Sequence, residues 1–123
     1  MADPLVDLAG RLQALCVERG LTVATAESCT GGLVSAAVTE IAGSSAWFDR
    51  GFVTYSNEAK VELLGVSLLT LHAHGAVSEQ TVHEMLAGAL AVPTVAGLSG
   101  WQWRQAGAYP GGPLLLFDAS LDA

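Results

Sequence analysis

Ala24-Thr25-Ala26-Glu27-Ser28-Cys29-Thr30-Gly31-Gly32 is the stretch that decides how this chain is read. Ahead of it, Leu21-Thr22-Val23-Ala24 is short, apolar and β-branched, the character of a buried strand. Behind it, Leu33-Val34-Ser35-Ala36-Ala37-Val38 and Ile41 read as a helix with a broad apolar face. A strand that ends in a glycine-containing loop and opens a helix aims backbone N–H groups at whatever lies above it. The helix dipole adds partial positive charge there, which favours a phosphate or a developing oxyanion. The paired glycines permit unusual backbone angles and a close approach of a ligand to the main chain. The chemistry is expected in this loop.

Composition sets the limits around that loop. With 123 residues, 51% of them hydrophobic and 14% charged, the chain is of single-domain size and apolar enough to build a core. A net charge of −7 argues against a nucleic-acid or anionic-membrane partner, either of which needs a basic face. Cys16 and Cys29 make neither a disulfide framework nor a metal set, and two free thiols suit a reducing, cytoplasmic compartment. No apolar run approaches the roughly 20 residues of a membrane span. The Met1-Ala2-Asp3-Pro4 start shows no signal-peptide pattern.

Working outward, Asp3-Pro4 caps a first helix with Leu5, Leu8, Leu12, Leu15 and Cys16 at helical spacing, and Gly20 ends it. Beyond the turn Ala42-Gly43-Ser44-Ser45, the aromatic and β-branched run Trp47–Tyr55 predicts one or two strands. Ser56 or Asn57 caps a short helix with Val61 and Leu64 inward, stopped by Gly65. Val66 to His74 reads as a loop or a further helical turn. Ser78 caps another helix that carries Val82, Met85, Leu86 and Leu90, and Val92 to Leu98 has strand character. Alternating strands and helices predict an α/β layered fold. From Trp101 to Ala123 the chain turns rich in Gly, Pro and Trp, with Pro113-Leu114-Leu115-Leu116-Phe117 as a candidate edge strand.

Lys60, the only lysine, falls near the start of its helix, where a cation meets the unfavourable end of the dipole. A lysine so placed ordinarily projects into water. With Tyr55 nearby in sequence and a serine at a glycine-rich helix start, a second reading opens. A neutral lysine can take a serine proton while a phenol relays it or orients the groups. Ser28 and Cys29 compete as nucleophile; a helix N-terminus activates a thiol, yet buried structural cysteines are common. Thr30 reads as a helix cap, and Glu27 either as a ligand contact or as an acceptor for backbone donors in the loop. His72, His74 and His83 are too scattered to make a metal set, so neither a metal nor another cofactor is expected.

Four blocks in order resemble the nicotinamide-nucleotide amidohydrolases, the family of the CinA C-terminal domain. They are Thr25–Gly32, Ile41–Phe48, Gly51–Lys60 and His74–Glu79, and the similarity runs from the first helix to Gly100. The resemblance implies a three-layer α/β/α sandwich acting on a small-molecule nucleotide: it would hydrolyse nicotinamide mononucleotide to nicotinate mononucleotide and ammonia. It implies Ser28 as nucleophile, Lys60 as general base and Tyr55 as an assisting group. Glu27, Thr30, Gly31, Gly32 and Asn57 would bind substrate, with the N–H groups around Thr30, Gly31 and Gly32 serving the oxyanion or the phosphate.

After Ser99-Gly100 the family pattern continues with a second glycine-rich stretch, a strand and a final helix, where this chain has Trp101-Gln102-Trp103-Arg104. Residues 1–100 are therefore expected to form an incomplete amidohydrolase domain, lacking the last strand and helix, and 101–123 an irregular, divergent tail. The exposed apolar surface left behind would be compatible with a homo-oligomer. Activity is then expected to be weak or lost, and the alternative function is a catalytically inactive remnant that binds nucleotide or a protein partner. Because the Trp-Gln codons read one base out of frame can encode Val-Ala, a reading-frame shift just after Gly100 is expected. Sequencing the gene tests it, since an alternative frame must continue the family pattern.

Overall fold

The computed structural model describes residues 4–91, 101–109 and 112–119. Helix α1 (Pro4–Arg19) leads into strand β1 (Val23–Glu27), helix α2 (Leu33–Thr39), a 3₁₀ turn (Ser44–Ala46) and strand β2 (Phe48–Val53). Helices α3 (Asn57–Leu64), α4 (Leu68–His74) and α5 (Glu79–Leu90) follow, then strands β3 (Trp101–Tyr109) and β4 (Gly112–Ala119). The sheet order is β2-β1-β4-β3, with β1 parallel to β2 and antiparallel to β4.

Two apolar clusters flank this sheet and make the three layers. On one face, Cys16 of α1, Val38 of α2 and Trp47 pack with Val23 of β1. On the other, Ala24 and Ala26 of β1 meet Leu64, Val66, Leu71, Val82, Met85, Leu86 and Ala89 from the α3–α5 region. Alternate residues of β1 thus serve opposite cores, as the period of a strand requires. All five of its residues are buried. The small side chains Ala24 and Ala26 leave room for the large ones brought by the helices.

Helix boundaries follow local chemistry. Ser56 caps α3 by accepting from the Ala59 N–H (3.0 Å), and Ser78 caps α5 by accepting from Thr81 (3.2 Å). Gly65 closes α3 in the left-handed conformation. Val66–His74 resolves into a helix, α4, capped by Ser67 and tied to α5 through Glu84, which accepts from the Ser67 N–H (2.8 Å) and the Thr70 hydroxyl. At Gly88, α5 crosses the end of α3 so closely that a Cβ would overlap the Leu64 carbonyl. The α1 anchor is polar as well as apolar: Gln13 accepts from the Trp47 indole (3.0 Å) and donates to the Ala42 carbonyl (3.1 Å).

Three expectations change. β1 starts later than Leu21 and runs through Glu27, because Thr25, Ala26 and Glu27 pair with Gly51, Phe52 and Val53 of β2. The inner side of α1 is Ala9 and Cys16, with Leu12 beside them, while Leu5, Leu8 and Leu15 are exposed; α2 likewise buries only Val38. The irregular tail is corrected too, for residues 101–109 and 112–119 form an antiparallel hairpin. Its apolar run lies inside the sheet rather than at an edge, because the side of β1 away from β2 offers unpaired main-chain groups that Leu114–Asp118 take up. The strand expected at Val92–Leu98 lies outside the described residues. Among the described residues no helix is long and apolar enough to cross a membrane.

Candidate functional site

The site is built where β1 and β2 end side by side. Leaving β1, the chain turns through Ser28-Cys29-Thr30 and reaches α2 by way of Gly31 (φ 63°) and Gly32 (φ 111°), left-handed positions where a side chain would be strained. Glu27 holds this turn. Its side chain is fully buried, and one carboxylate oxygen accepts from the Thr30 hydroxyl (2.6 Å), the Gly32 N–H (3.1 Å) and the Val34 N–H (3.1 Å). The other accepts from the Ser35 N–H (3.0 Å) and the Ser35 hydroxyl (2.7 Å). A carboxylate at the positive end of α2 thus satisfies three amides that the helix itself cannot. Burial pushes its carboxyl up, but the bonds from Thr30, Ser35 and Val34 outweigh burial and hold it below the usual glutamate value.

These bonds decide between the two readings left open for Glu27: its acceptor capacity goes to the loop and to α2. They also correct the reading of Thr30, whose hydroxyl is spent on Glu27 while Gly32 occupies the N-cap position. The Gly31 N–H bonds the Ser28 carbonyl (2.9 Å) and the Gly32 N–H bonds Glu27, so neither amide is open to a ligand. The main-chain bonds that close this turn are donated by Gly31 and Leu33, and none of them by Cys29 or Thr30.

Opposite the loop, Lys60 is fully buried although it carries the only lysine amine of the chain. Its Nζ donates to the carbonyls of Thr54 (2.9 Å), Tyr55 (3.0 Å) and Ser56 (3.5 Å). Because α3 starts immediately after this turn, a residue in its first turn can fold back over the carbonyls that precede it. Burial pushes the amine down from the ordinary lysine value, and the charge of Cys29 acts the other way. The three carbonyl dipoles also favour the ammonium. Ser28, itself buried, donates its hydroxyl to the Tyr55 carbonyl at 3.4 Å. Serine and lysine therefore share one acceptor, and the hydrogen bond between them is not made in this arrangement.

Tyr55 contributes to this geometry through its main chain. The residue is 70% exposed, and what both Ser28 and Lys60 touch is its carbonyl rather than the phenol expected to assist them. Asn57 is exposed and lines an open depression with Glu58, Val61, Glu62 and Leu68, a set that includes neither Ser28 nor Lys60. Cys29 is exposed beside Ser28, and Cys16 is a buried core thiol. Sequence reasoning missed Ser35, which shares hydrogen bonds with Glu27 and with the Thr25 hydroxyl (2.9 Å), and Thr54. Among the described residues no three His, Cys, Asp or Glu side chains stand close enough to hold a metal ion.

The Glu27 bonds carry a pH signature. A carboxyl held low in the folded state stabilises above its unfolded pKa, and that stabilisation disappears as pH falls through the lowered folded value. We expect Glu27→Gln to lose about 2–3 kcal/mol at neutral pH, since it leaves buried amides facing an uncharged or donating group. Its melting temperature should also fall less steeply than that of the unaltered chain below the ordinary glutamate range. Parallel curves would contradict the assignment.

Comparison with known proteins agrees with this layout. The model of the CinA C-terminal domain matches residues 6–99. The nicotinamide-nucleotide amidohydrolase PncC of Enterobacter agglomerans is 63% identical over 86 residues, covering 70% of this chain and 52% of that protein. PncC of Escherichia coli K12 is 68% identical over 72 residues, covering 58% and 44%. The chain thus spans about half the length of these curated relatives. Among solved structures, a competence/damage inducible protein from Agrobacterium tumefaciens superposes with a TM-score of 0.71 at 42% identity, covering 94% of this chain and 73% of that one. One from Klebsiella pneumoniae gives 0.72 at 37%, covering 89% and 66%. With the family model matched over most of its length and the layers in place, this chain belongs to the CinA C-terminal domain family.

Proposed function

We propose that this domain hydrolyses the carboxamide of a nicotinamide nucleotide, with Ser28 as nucleophile and Lys60 as its base. The observation that carries the proposal is the shared Tyr55 carbonyl. It holds a buried serine hydroxyl and the amine of a buried lysine on one oxygen atom, beside the turn that carries the Cys29 and Thr30 amides. The relatives named for this activity, identical at about two positions in three over the matched stretch, supply the substrate class.

In the reaction, Lys60 first gives up a proton to solvent. Ser28 then rotates from the Tyr55 carbonyl toward Nζ, passes its proton there, and attacks the amide carbon. The tetrahedral oxyanion is met by the Cys29 and Thr30 N–H groups. Cleavage of the C–N bond returns the proton from Nζ to the departing ammonia, leaving an ester on Ser28 Oγ. Water, deprotonated in the same way, releases the acid. Since the base must be neutral, the rate rises with pH through the Lys60 titration, and burial draws that limb below the ordinary lysine range.

One observation favours a second reading. Cys29 is exposed, neighbours Ser28 and interacts electrostatically with Lys60, so a thiolate could be the nucleophile instead. Ammonia release from nicotinamide mononucleotide separates the cases. We expect Ser28→Ala and the volume-preserving Lys60→Met each to lose roughly 10²- to 10⁴-fold, while Cys29→Ala retains turnover. Loss in Cys29→Ala with retention in Ser28→Ala would overturn the serine mechanism. A folded, unaltered chain that binds the nucleotide and releases no ammonia would make this a binding remnant.

A further inference from the structure

Thr54 follows β2, and its main chain is committed in both directions. Its N–H donates to the Glu27 carbonyl (3.0 Å), and its own carbonyl accepts from Lys60 Nζ (2.9 Å). Its hydroxyl is in a different state. The residue is fully buried, and Oγ1 is the one buried side-chain polar atom among the described residues with no hydrogen-bond partner. Folded proteins leave few such groups, because a hydroxyl removed from water without a partner is destabilising.

Sheet register shows which face Thr54 occupies. Ala26 pairs with Phe52 and Glu27 with Val53, and the ladder continues through the Thr54 N–H to Glu27. By strand alternation Thr54 falls on the face of Phe52 and Ala26, the one that packs against α3 and α5 and next to Ser28 at the end of β1. Lys60 reaches into the same corner, since its amine touches the carbonyl of this very residue.

The protonation chemistry of Lys60 accounts for the orphan. An ammonium has three donors and no acceptor, and three carbonyls already take those donors. A neutral amine has two donors and a lone pair, to which no carbonyl can donate. We infer that the Thr54 hydroxyl is a positioning residue for Lys60, unpartnered beside the ammonium and donating to Nζ once the amine is neutral. The neutral amine has one lone pair, so the Thr54 hydroxyl releases it as Ser28 turns in, before the serine proton is passed to Nζ. The inference rests on Lys60 acting as the base of the proposed reaction.

Among the described residues, the charged groups on the neighbouring elements are engaged elsewhere. Cys29 is the titratable group whose charge acts on Lys60. Glu58 and Glu62, on the same helix, line the open depression. On α5, Glu79 faces His83 at 3.6 Å, and Glu84 is held by Ser67 and Thr70. Glu27 is taken up by α2.

Because Lys60 is the only lysine, the whole chain grown on ¹³C,¹⁵N-lysine reports a single side-chain amine, whose titration is read by NMR without turnover. We expect Thr54→Val to raise the Lys60 midpoint by roughly one pH unit, the worth of one lost hydrogen bond to the neutral form. Thr54→Ser should restore it. If the valine variant does not fold, Thr54→Ala carries the same expectation. An unchanged midpoint in the valine or alanine variant would overturn the inference, most clearly with a rise in melting temperature, which would mark the hydroxyl as merely unsatisfied. Ammonia release assayed alongside keeps the two readings apart. A shifted midpoint without Lys60-dependent release upholds the Thr54–Lys60 coupling and removes the catalytic role; release with no shift removes the role of Thr54 alone.

Discussion

The fully buried Glu27 carboxylate is the constraint on which the rest of the site depends. Five hydrogen bonds from Thr30, Gly32, Val34 and Ser35 tie the end of a strand to the start of a helix. A buried carboxylate is tolerable only where donors surround it, and here the donors are largely those a helix N-terminus cannot satisfy internally. The consequence lies in what remains. With Gly32 bound to Glu27 and Gly31 to Ser28, the amides outside these bonds are those of Cys29 and Thr30, directly after the candidate nucleophile. A carboxylate whose acceptor capacity is spent on protein donors thereby sets which amides of the turn stay outside its bonds.

Facing it is a second buried charge held by a different device. Among the described residues no carboxylate bonds Lys60; three successive carbonyls from Thr54 to Ser56 receive it. Carbonyl dipoles stabilise an ammonium less completely than a counter-ion does, and burial works against the charge. That balance suits a group that must exchange a proton rather than keep one. The two buried charges are engaged separately: Glu27 turns toward α2, whereas Lys60 reaches back from α3 to the carbonyls that follow β2, and among the described residues no hydrogen bond joins the carboxylate to the amine.

Much of this was legible in the sequence because it is local. Caps at Ser56 and Ser78 and the stop at Gly65 need only a few neighbouring residues to act, and each stands where its chemistry predicted. The turn around Ser28 and the lone lysine at the start of α3 were equally local signals. Less legible was anything that depends on how far a strand runs. Reading β1 as ending at Ala24 left Glu27 loose in a loop, whereas pairing with Val53 fixes its side chain toward α2. Tyr55 drew attention for its phenol, whereas the atom that Ser28 and Lys60 touch is its carbonyl, a contact no sequence signal marks. Nor did the exposed leucines of α1 differ in spacing from buried ones; burial was decided by Cys16 and Ala9 meeting the sheet side. The hairpin at β3 and β4 depended on a vacant strand side that the tail itself does not encode.

Which atom of the loop becomes covalently bonded to substrate separates serine from cysteine catalysis. Acid-quenching the protein with nicotinamide mononucleotide, then locating any acyl group by peptide fragmentation, reads that atom directly. The account predicts an ester on Ser28, absent from Ser28→Ala and much reduced in Lys60→Met. A thioester on Cys29, persisting when Ser28 is replaced, would contradict it.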